Sequence, residues 1–218
     1  MVSGVAAAAG RRPLPYGGPP VNLREQQRSE TRQRFIDTAM QLFQEQGFTA
    51  TSMNQIAVAA GGSRANLYLH FRNKPELVMA KMRDIEQEIT DGYRALDELP
   101  QHDFAALRGW LVDTKGLWSR YAIEFAAMEQ AMAADTAVAD EWLGMLRRVS
   151  GSMERLYRSC SSKQEREELQ THLVTFMMSL DRNFYFLYVR GHQERHEMVL
   201  DALTRQLMSL FADRFPSQ

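Results

Sequence analysis

The chain has 218 residues, 44% of them hydrophobic and 24% charged, so it is long enough for a sizeable core and has a globular composition. Its single cysteine, Cys160, excludes an internal disulfide, and no apolar run is long enough to span a membrane, so we expect a cytoplasmic protein. The net charge of -1 is unevenly distributed along the chain. Residues 1–74 carry nine Lys/Arg and four Asp/Glu, whereas residues 75–218 carry 17 Lys/Arg and 23 Asp/Glu. We therefore expect only the first part to bind phosphate groups.

Residues 1–28 are rich in alanine, glycine and proline and have no apolar period, which predicts a disordered tail. The arginines of this tail are suited to contacts with the minor groove of DNA, although a solvated tail is the simpler interpretation. A first helix is predicted from Ser29 to about Gln46, with its apolar residues on one face. Gly47 then ends that helix.

Two short helices joined by a tight turn are predicted between Thr51 and Lys74. Ser52 and Gln55 have the S-x-x-Q spacing of a capping box, so the first of these helices should begin just after Ser52. The glycine pair at 61–62 breaks it. Ser63 is suited to cap the second helix, which should run to Phe71.

The second of these helices has an unusual solvent face. Leu67 and Phe71 lie four residues apart and should face the core together. That leaves Ala65, Asn66 and Leu69 pointing away from the core. A small apolar residue, an amide and a leucine are suited to a helix that enters the major groove.

A series of short motifs follows these predicted helices closely. It comprises Thr-Ser at 51–52, Ile-Ala at 56–57, Ala-Gly at 60–61 and the run Leu-Tyr-x-His-Phe-x-x-Lys that ends at Lys74. With them, residues 29–81 resemble the DNA-binding domain of the TetR family of transcriptional regulators. Two positions depart from the family pattern, with Ala-Asn at 65–66 in place of the usual Gly-Thr and Gly62 where valine is frequent.

The predicted DNA contacts divide into base readers and phosphate holders. Asn66 is suited to a base edge, adenine above all, and Leu69 to a thymine methyl group. Arg64 is suited to either task, and the remaining polar residues are expected to hold phosphates. The full predicted set is Thr51, Ser63, Arg64, Ala65, Asn66, Tyr68, Leu69, His70 and Lys74.

The rest of the chain repeats apolar residues at helical spacing and shows no strand-like alternation. The predicted helices cover 75–99, a segment capped by Asp103, 121–133, 136–159, 163–191 and 193–215. We therefore expect an all-α protein, with a three-helix helix-turn-helix head at 29–74 and a helical ligand-binding and dimerisation body at 75–218.

The last two predicted helices carry leucine and phenylalanine at steps of three or four. The family resemblance implies that such helices form a four-helix bundle with a second copy, although a monomeric core is the plainer alternative. The predicted dimer interface comprises Leu173, Phe176, Leu180, Phe184, Leu203, Leu207 and Leu210.

The middle of the body concentrates tryptophan and methionine, which line adaptable pockets but also build ordinary cores. The resemblance favours a cavity for a small apolar effector. Its predicted lining is Trp110, Trp118, Phe125, Met128, Met132, Trp142 and Met145.

Catalytic and metal-binding motifs do not emerge from the sequence. His192 and His196 lie four apart and Glu197 follows them, a spacing that could bind a metal, but no cysteine or third histidine lies nearby in sequence and a solvated pair is the simpler interpretation. Phosphate-loop and nucleophile-elbow motifs do not occur. We expect no enzyme activity, no cofactor and no metal. The resemblance implies a homodimeric repressor that binds a palindromic operator in double-stranded DNA, without a membrane. A sensing or sequestering protein with weak DNA binding, and a helical enzyme with a vestigial head, remain the alternatives.

Overall fold

The computed structural model describes residues 23–192 and 195–212, and all regular structure in these residues is helical. The helices are α1 (Leu23–Gln46), α2 (Met53–Ala59), α3 (Arg64–Tyr68), α4 (Lys74–Asp97), α5 (Phe104–Arg120), α6 (Ala122–Ala134), α7 (Thr136–Gly151), α8 (Glu154–Arg158), α9 (Lys163–Phe184) and α10 (His196–Ala212), with a π-helical turn at Tyr185–Val189. The predicted all-α fold is confirmed. None of the described helices is both long and apolar enough to cross a bilayer.

Helix α1 begins earlier than the sequence pattern predicted. It starts at Leu23 rather than Ser29, so residues 23–28, which were assigned to the tail, are helical. These residues are strong helix formers, and their helicity depends on that propensity rather than on an apolar face. Residues 1–22 lie outside the described residues. At its other end α1 stops at Gly47, whose φ of +87° suits glycine.

Helices α2 and α3 begin where local capping predicted. The Ser52 hydroxyl accepts a hydrogen bond from the Gln55 amide N–H at 3.2 Å, and the Gln55 side chain accepts one from the Ser52 N–H at 2.8 Å. Gly61 forms the turn with a φ of +68°. Ser63 caps α3, which ends at Tyr68 rather than at Phe71. The Phe71 N–H still bonds to the Leu67 carbonyl, so the following turn keeps the same inward face.

The body has one break that the sequence did not predict. Residues 136–159 form two helices rather than one, separated around Ser152 and Met153. The reason lies in α4, where the buried Asp97 carboxylate accepts the backbone N–H groups of Arg155 at 2.7 Å and Leu156 at 2.8 Å. This distant carboxylate satisfies the first turn of α8 and stabilises a new helix start.

The two parts of the molecule share a continuous core. α1 of the head packs against both α4 and α6, so the head rests directly on the body. The predicted helix 163–191 is α9 followed by the π-helical turn. The final helix is described over His196–Ala212, within the predicted 193–215, and it packs against α5 and α9.

Candidate DNA interface and ligand cavity

The outward face of α3 is the most exposed apolar feature of the head. Leu67 and Phe71 are buried, as their spacing predicted, and α3 packs against α2. Leu69 is 76% exposed and Tyr68 42% exposed, and Ala65 is exposed beside them. A leucine this exposed has no packing role in the folded chain, so the face is free to meet a partner.

A basic corner borders this face. The Arg64 guanidinium lies 5.4 Å from the centre of the Tyr68 ring. On the other side, the half-buried His70 packs 5.8 Å from the ring of Phe35. Burial lowers the pKa of His70, and the positive charges of Arg28 and Arg32 on α1 lower it further. The two arginines of α1 and His70 therefore share one edge of the head, next to α3.

Two residues predicted to hold phosphate have other partners. The Thr51 side chain is buried, and its hydroxyl donates to the Gly47 carbonyl at 2.8 Å. It is therefore a structural residue of the α1–α2 turn, and its predicted phosphate contact stays a prediction. The Lys74 ammonium donates to the carbonyls of Phe48 and, at 3.3 Å, of Thr49, which ties the start of α4 to the same turn. Burial lowers the pKa of Lys74.

A cavity of about 440 Å³ lies among α4, α5, α6, α7 and α9. Five of the seven residues predicted to line a ligand site do line it: Trp110, Trp118, Phe125, Trp142 and Met145. Met128 and Met132 do not. Met128 is buried and lies instead beside Met79 and Met82, and Met132 is half-buried against the core. Helical spacing along α6 could not distinguish the cavity-facing side from the side that packs on α4.

Aromatic rings form fixed walls in this cavity. Trp118 stacks on Phe125 with ring centres 4.0 Å apart, and Tyr93 meets Trp110 edge to face at 5.2 Å. The Trp110 indole N–H donates to the Gly92 carbonyl at 2.8 Å, so its polar atom is satisfied and the ring is held in place. Such surfaces bind apolar and aromatic molecules well.

The polar lining of the cavity is acidic, which the sequence did not predict. Its charged members are the carboxylates of Glu88, Asp91, Asp113 and Asp181 and a single guanidinium, that of Arg120. Glu88 pairs with Arg120 at 2.8 Å, and Asp91 pairs with Arg94 at 3.3 Å. In the described part of the chain, Asp113 and Asp181 have neither a hydrogen-bond nor an ion-pair partner for their carboxylates.

The residues predicted to form the dimer interface lie mostly inside one chain. Leu173, Phe176, Leu180, Phe184, Leu203 and Leu207 are all buried, and Leu210 is half-buried. The apolar stripes of α9 and α10 therefore pack against the body of their own subunit, and the assignment of these six residues to a subunit interface stays a prediction. Period alone indicates burial but does not identify the burying surface.

The outward side of the same two helices contains a shallow groove. It is lined by small and polar side chains over an apolar floor: Leu169, His172, Thr175, Phe176, Ser179, Gln206, Ser209 and Leu210. Met178 is 44% exposed on the outer side of α9. Small side chains allow helices to approach closely, so this surface is suited to helix packing.

The head has sequence relatives that match its geometry. A family model for bacterial regulatory proteins of the tetR family matches residues 35–80, the segment that holds α2, α3 and the start of α4. The transcriptional regulator AcrR of Shigella flexneri is 45% identical over 53 residues, which cover 24% of this chain and 25% of that protein. The chain carries a TetR-family DNA-binding head. It spans about a quarter to a half of the length of the curated relatives that it matches.

Solved TetR-family structures extend the likeness of fold to the body. A putative regulator from Mesorhizobium loti has a TM-score of 0.60 at 18% identity, covering 85% of this chain and 97% of that one. Thermus thermophilus FadR, a repressor in complex with lauroyl-CoA, has a TM-score of 0.58 at 17% identity, with coverage of 86% and 96%. At such identities the likeness concerns the fold alone.

Two residues beside the candidate sites were not predicted in their observed roles. Arg32 was not among the predicted DNA contacts and Arg28 was predicted to contact DNA only as part of the tail, although their spacing of four already placed them on one side of a helix. Asp181 was missed too. It lies four residues after Met177 and three before Phe184, so an acidic residue interrupts an otherwise apolar face, and that was the signal.

Proposed function

We propose that the protein is a homodimeric, sequence-specific transcriptional repressor that a small, largely apolar molecule releases from its DNA operator. The observation that carries this proposal is the exposed face of α3 on a TetR-family head, with Leu69 and Tyr68 turned to solvent. Asn66 and Leu69 read bases in the major groove, and Ser63, Arg64, Tyr68 and His70 meet the backbone. Such a regulator acts on DNA in the cytoplasm and needs neither catalysis nor a cofactor.

The lining of the cavity supports the effector part of the proposal. Its walls are formed by three tryptophans and by α4, the helix that begins at the head with Lys74 and ends in the body with Asp97. A ligand between α4 and α5 favours one position of α4, and α4 carries the head with it. The ligand must bind the two forms unequally, because equal affinity shifts no equilibrium.

The dimer part of the proposal uses the groove between α9 and α10. A second copy of the chain packs its own α9 and α10 against the same surface, as a two-fold interface requires. Two heads then meet two half-sites of a palindrome that lie about one helical turn apart. Of the residues predicted from sequence, Phe176 and Leu210 line this groove, together with Thr175, Ser179 and Gln206.

Selection of bound sequences from a random pool of double-stranded DNA tests the proposal. We expect a palindromic consensus that the full chain binds at least about a thousandfold more tightly than unrelated DNA. A pool that shows no enrichment would leave a sensing or sequestering protein as the function. Turnover of a bound compound would instead indicate an enzyme that retains a TetR-family head.

A further inference from the structure

We propose that the effector is a lipophilic cation, whose positive charge lies against Asp181 while its apolar groups pack on the tryptophan-lined walls. This inference rests on the proposed ligand cavity and names the chemical class of its occupant. It also narrows the expectation of a purely apolar effector.

The first argument is the position of Asp181. Asp181 is half-buried on α9, it lines the cavity, and its carboxylate has no hydrogen-bond or ion-pair partner within the described part of the chain. An unpaired buried carboxylate is unfavourable, and proteins normally pair such groups. A ligand that brings a positive charge removes this cost, whereas a neutral or anionic ligand does not.

The second argument is the charge around Asp181. The other carboxylates of the cavity are Glu88 and Asp91, which pair with Arg120 and Arg94, and Asp113, which is exposed and has no partner among the described residues. On the far side of α9, Arg182 pairs with Glu129 of α6 at 2.9 Å. Among the residues that the structure describes, no unpaired cation lines the cavity to compete for Asp181, and the local field favours a cationic guest.

The third argument is the aromatic lining. Tyr93 is close enough to Asp181 that the carboxylate, together with burial, raises the pKa of the phenol well above its ordinary value. Trp110 packs on Tyr93, and Trp118 stands opposite with Phe125. Aromatic faces attract cations through their quadrupoles, most strongly where water is excluded, and rings around a carboxylate are a recurring way to hold quaternary ammonium groups.

The titration state of Asp181 is consistent with this geometry. Burial and, after it, the Glu129 carboxylate together raise its pKa from 3.8 to about 7, against the opposing effect of Arg182. The carboxyl therefore keeps its proton more readily in the empty cavity, and a bound cation favours the ionised form.

Tetraphenylphosphonium and tetraphenylborate provide the test, because they have nearly the same size and shape and opposite charges. We expect the phosphonium to quench tryptophan fluorescence of the full chain and to raise its melting temperature, and the borate to do neither. Asp181→Asn should weaken phosphonium binding roughly tenfold or more. Asp181→Glu keeps the negative charge and should retain most of the affinity for the phosphonium. Asp84→Asn is the control, because it makes the same change at an exposed position of α4 outside the cavity, and it should leave phosphonium binding unchanged.

A pH series separates the charge of Asp181 from any change in packing. The phosphonium has a fixed charge, so its affinity should fall as the pH drops below about 7, where Asp181 becomes protonated, and Asp181→Asn should remove this dependence. Equal binding of both probes, or an unchanged affinity in Asp181→Asn, would overturn the inference. These binding measurements use no DNA, so the loss of operator binding would refute the proposed repressor while leaving the cation site intact.

Discussion

The Lys81 ammonium of α4 lies 3.9 Å from the Glu124 carboxylate of α6 at the interface where the head meets the body. It lies equally far from Asp37 of α1, so one cation joins three helices. The second oxygen of Glu124 is buried without a hydrogen-bond partner. Lys81 is therefore the compensating charge for a buried carboxylate where α1, α4 and α6 meet.

Replacing this lysine should destabilise the interface. Lys81→Met leaves Glu124 buried without its partner, which should lower the free energy of unfolding by about 1–3 kcal/mol. Lys163→Met is the control, because Lys163 pairs with Glu167 on an exposed surface and its loss should cost at most about 0.5 kcal/mol. Denaturant unfolding of both variants measures the difference, and equal losses would contradict a special role for Lys81.

Two variants of the head should distinguish contacts to DNA bases from contacts to the phosphate backbone. Asn66→Ala should reduce affinity by about 1–3 kcal/mol on the selected operator and relax preference at one base pair in each half-site. Arg28→Ala should weaken binding to every sequence and lower the slope of log affinity against log salt by about one unit. A uniform loss in both variants would show that α3 is oriented differently from this account.

Lys74 should show two effects rather than one, because its ammonium already binds the carbonyls of Phe48 and Thr49. Lys74→Ala should lower the stability of the head by about 1–2 kcal/mol as well as reduce DNA affinity across all sequences. Thermal unfolding and DNA titration of the same samples measure both. A pure loss of DNA affinity with unchanged stability would mean that the ammonium leaves the carbonyls and serves phosphate alone.

The cavity can be filled from α4 without disturbing its helix. Gly92 lines the cavity, and a Cβ atom built there meets nothing within 4 Å. Gly92→Leu should stabilise the protein by about 0.5–1 kcal/mol through helix propensity, preserve DNA binding and abolish the response to ligand. Gly116→Leu is the matched control in α5, outside the cavity and also unobstructed. A ligand response that survives in Gly92→Leu would place the effector elsewhere.

The unpaired carboxylate of Asp181 should also affect how the free energy of unfolding depends on pH when no ligand is bound. The pKa of Asp181 is about 7 in the folded chain against 3.8 ordinarily, so as the pH rises between these values the unfolded chain loses this proton while the folded chain retains it. The wild type therefore loses stability across this window and does not regain it above. Asp181→Asn should be more stable than the wild type by about 1–3 kcal/mol at pH 8 and about equal to it near pH 4.

Assembly can be tested at the groove between α9 and α10. Ser179→Arg introduces a long charged side chain into this surface and should convert a dimer to a monomer without unfolding it. Ser119→Arg, on the exposed side of α5, should remain dimeric. Sedimentation at micromolar concentration distinguishes the two, and a monomeric wild type would remove the dimer from the account.

Features that depend on residues close together in sequence were predicted correctly, and features that depend on distant residues were not. Ser52, Ser63 and Asp103 cap helices through residues two or three positions away, so their spacing alone located α2, α3 and α5. The break before α8 depends on Asp97, far away in sequence, and no local pattern signals it. The inward face of α3 was predictable too, because Leu67 and Phe71 lie only four residues apart.

The candidate sites show a second limit, which is that an apolar period identifies a buried face and not its partner. Leu180 and Leu207 have the spacing expected of an interface, and they are buried by their own chain. Met128 has the composition expected of a pocket and packs away from it. Asp181 shows the reverse case, because the apolar residues around it in sequence concealed a charged side chain that lines the cavity.

The central claim, that ligand in the body controls DNA binding by the head, is tested most directly by the fluorescence anisotropy of a labelled operator. The operator is the palindrome selected from the random pool, and tetraphenylphosphonium is added to its complex with wild-type protein and with Gly92→Leu. We predict that the wild type releases the operator as the ligand is added and that Gly92→Leu, with the same starting affinity, retains it. Release of the operator from both proteins alike would contradict the claim. So would retention of the operator by both proteins while the phosphonium is shown to occupy the wild-type cavity.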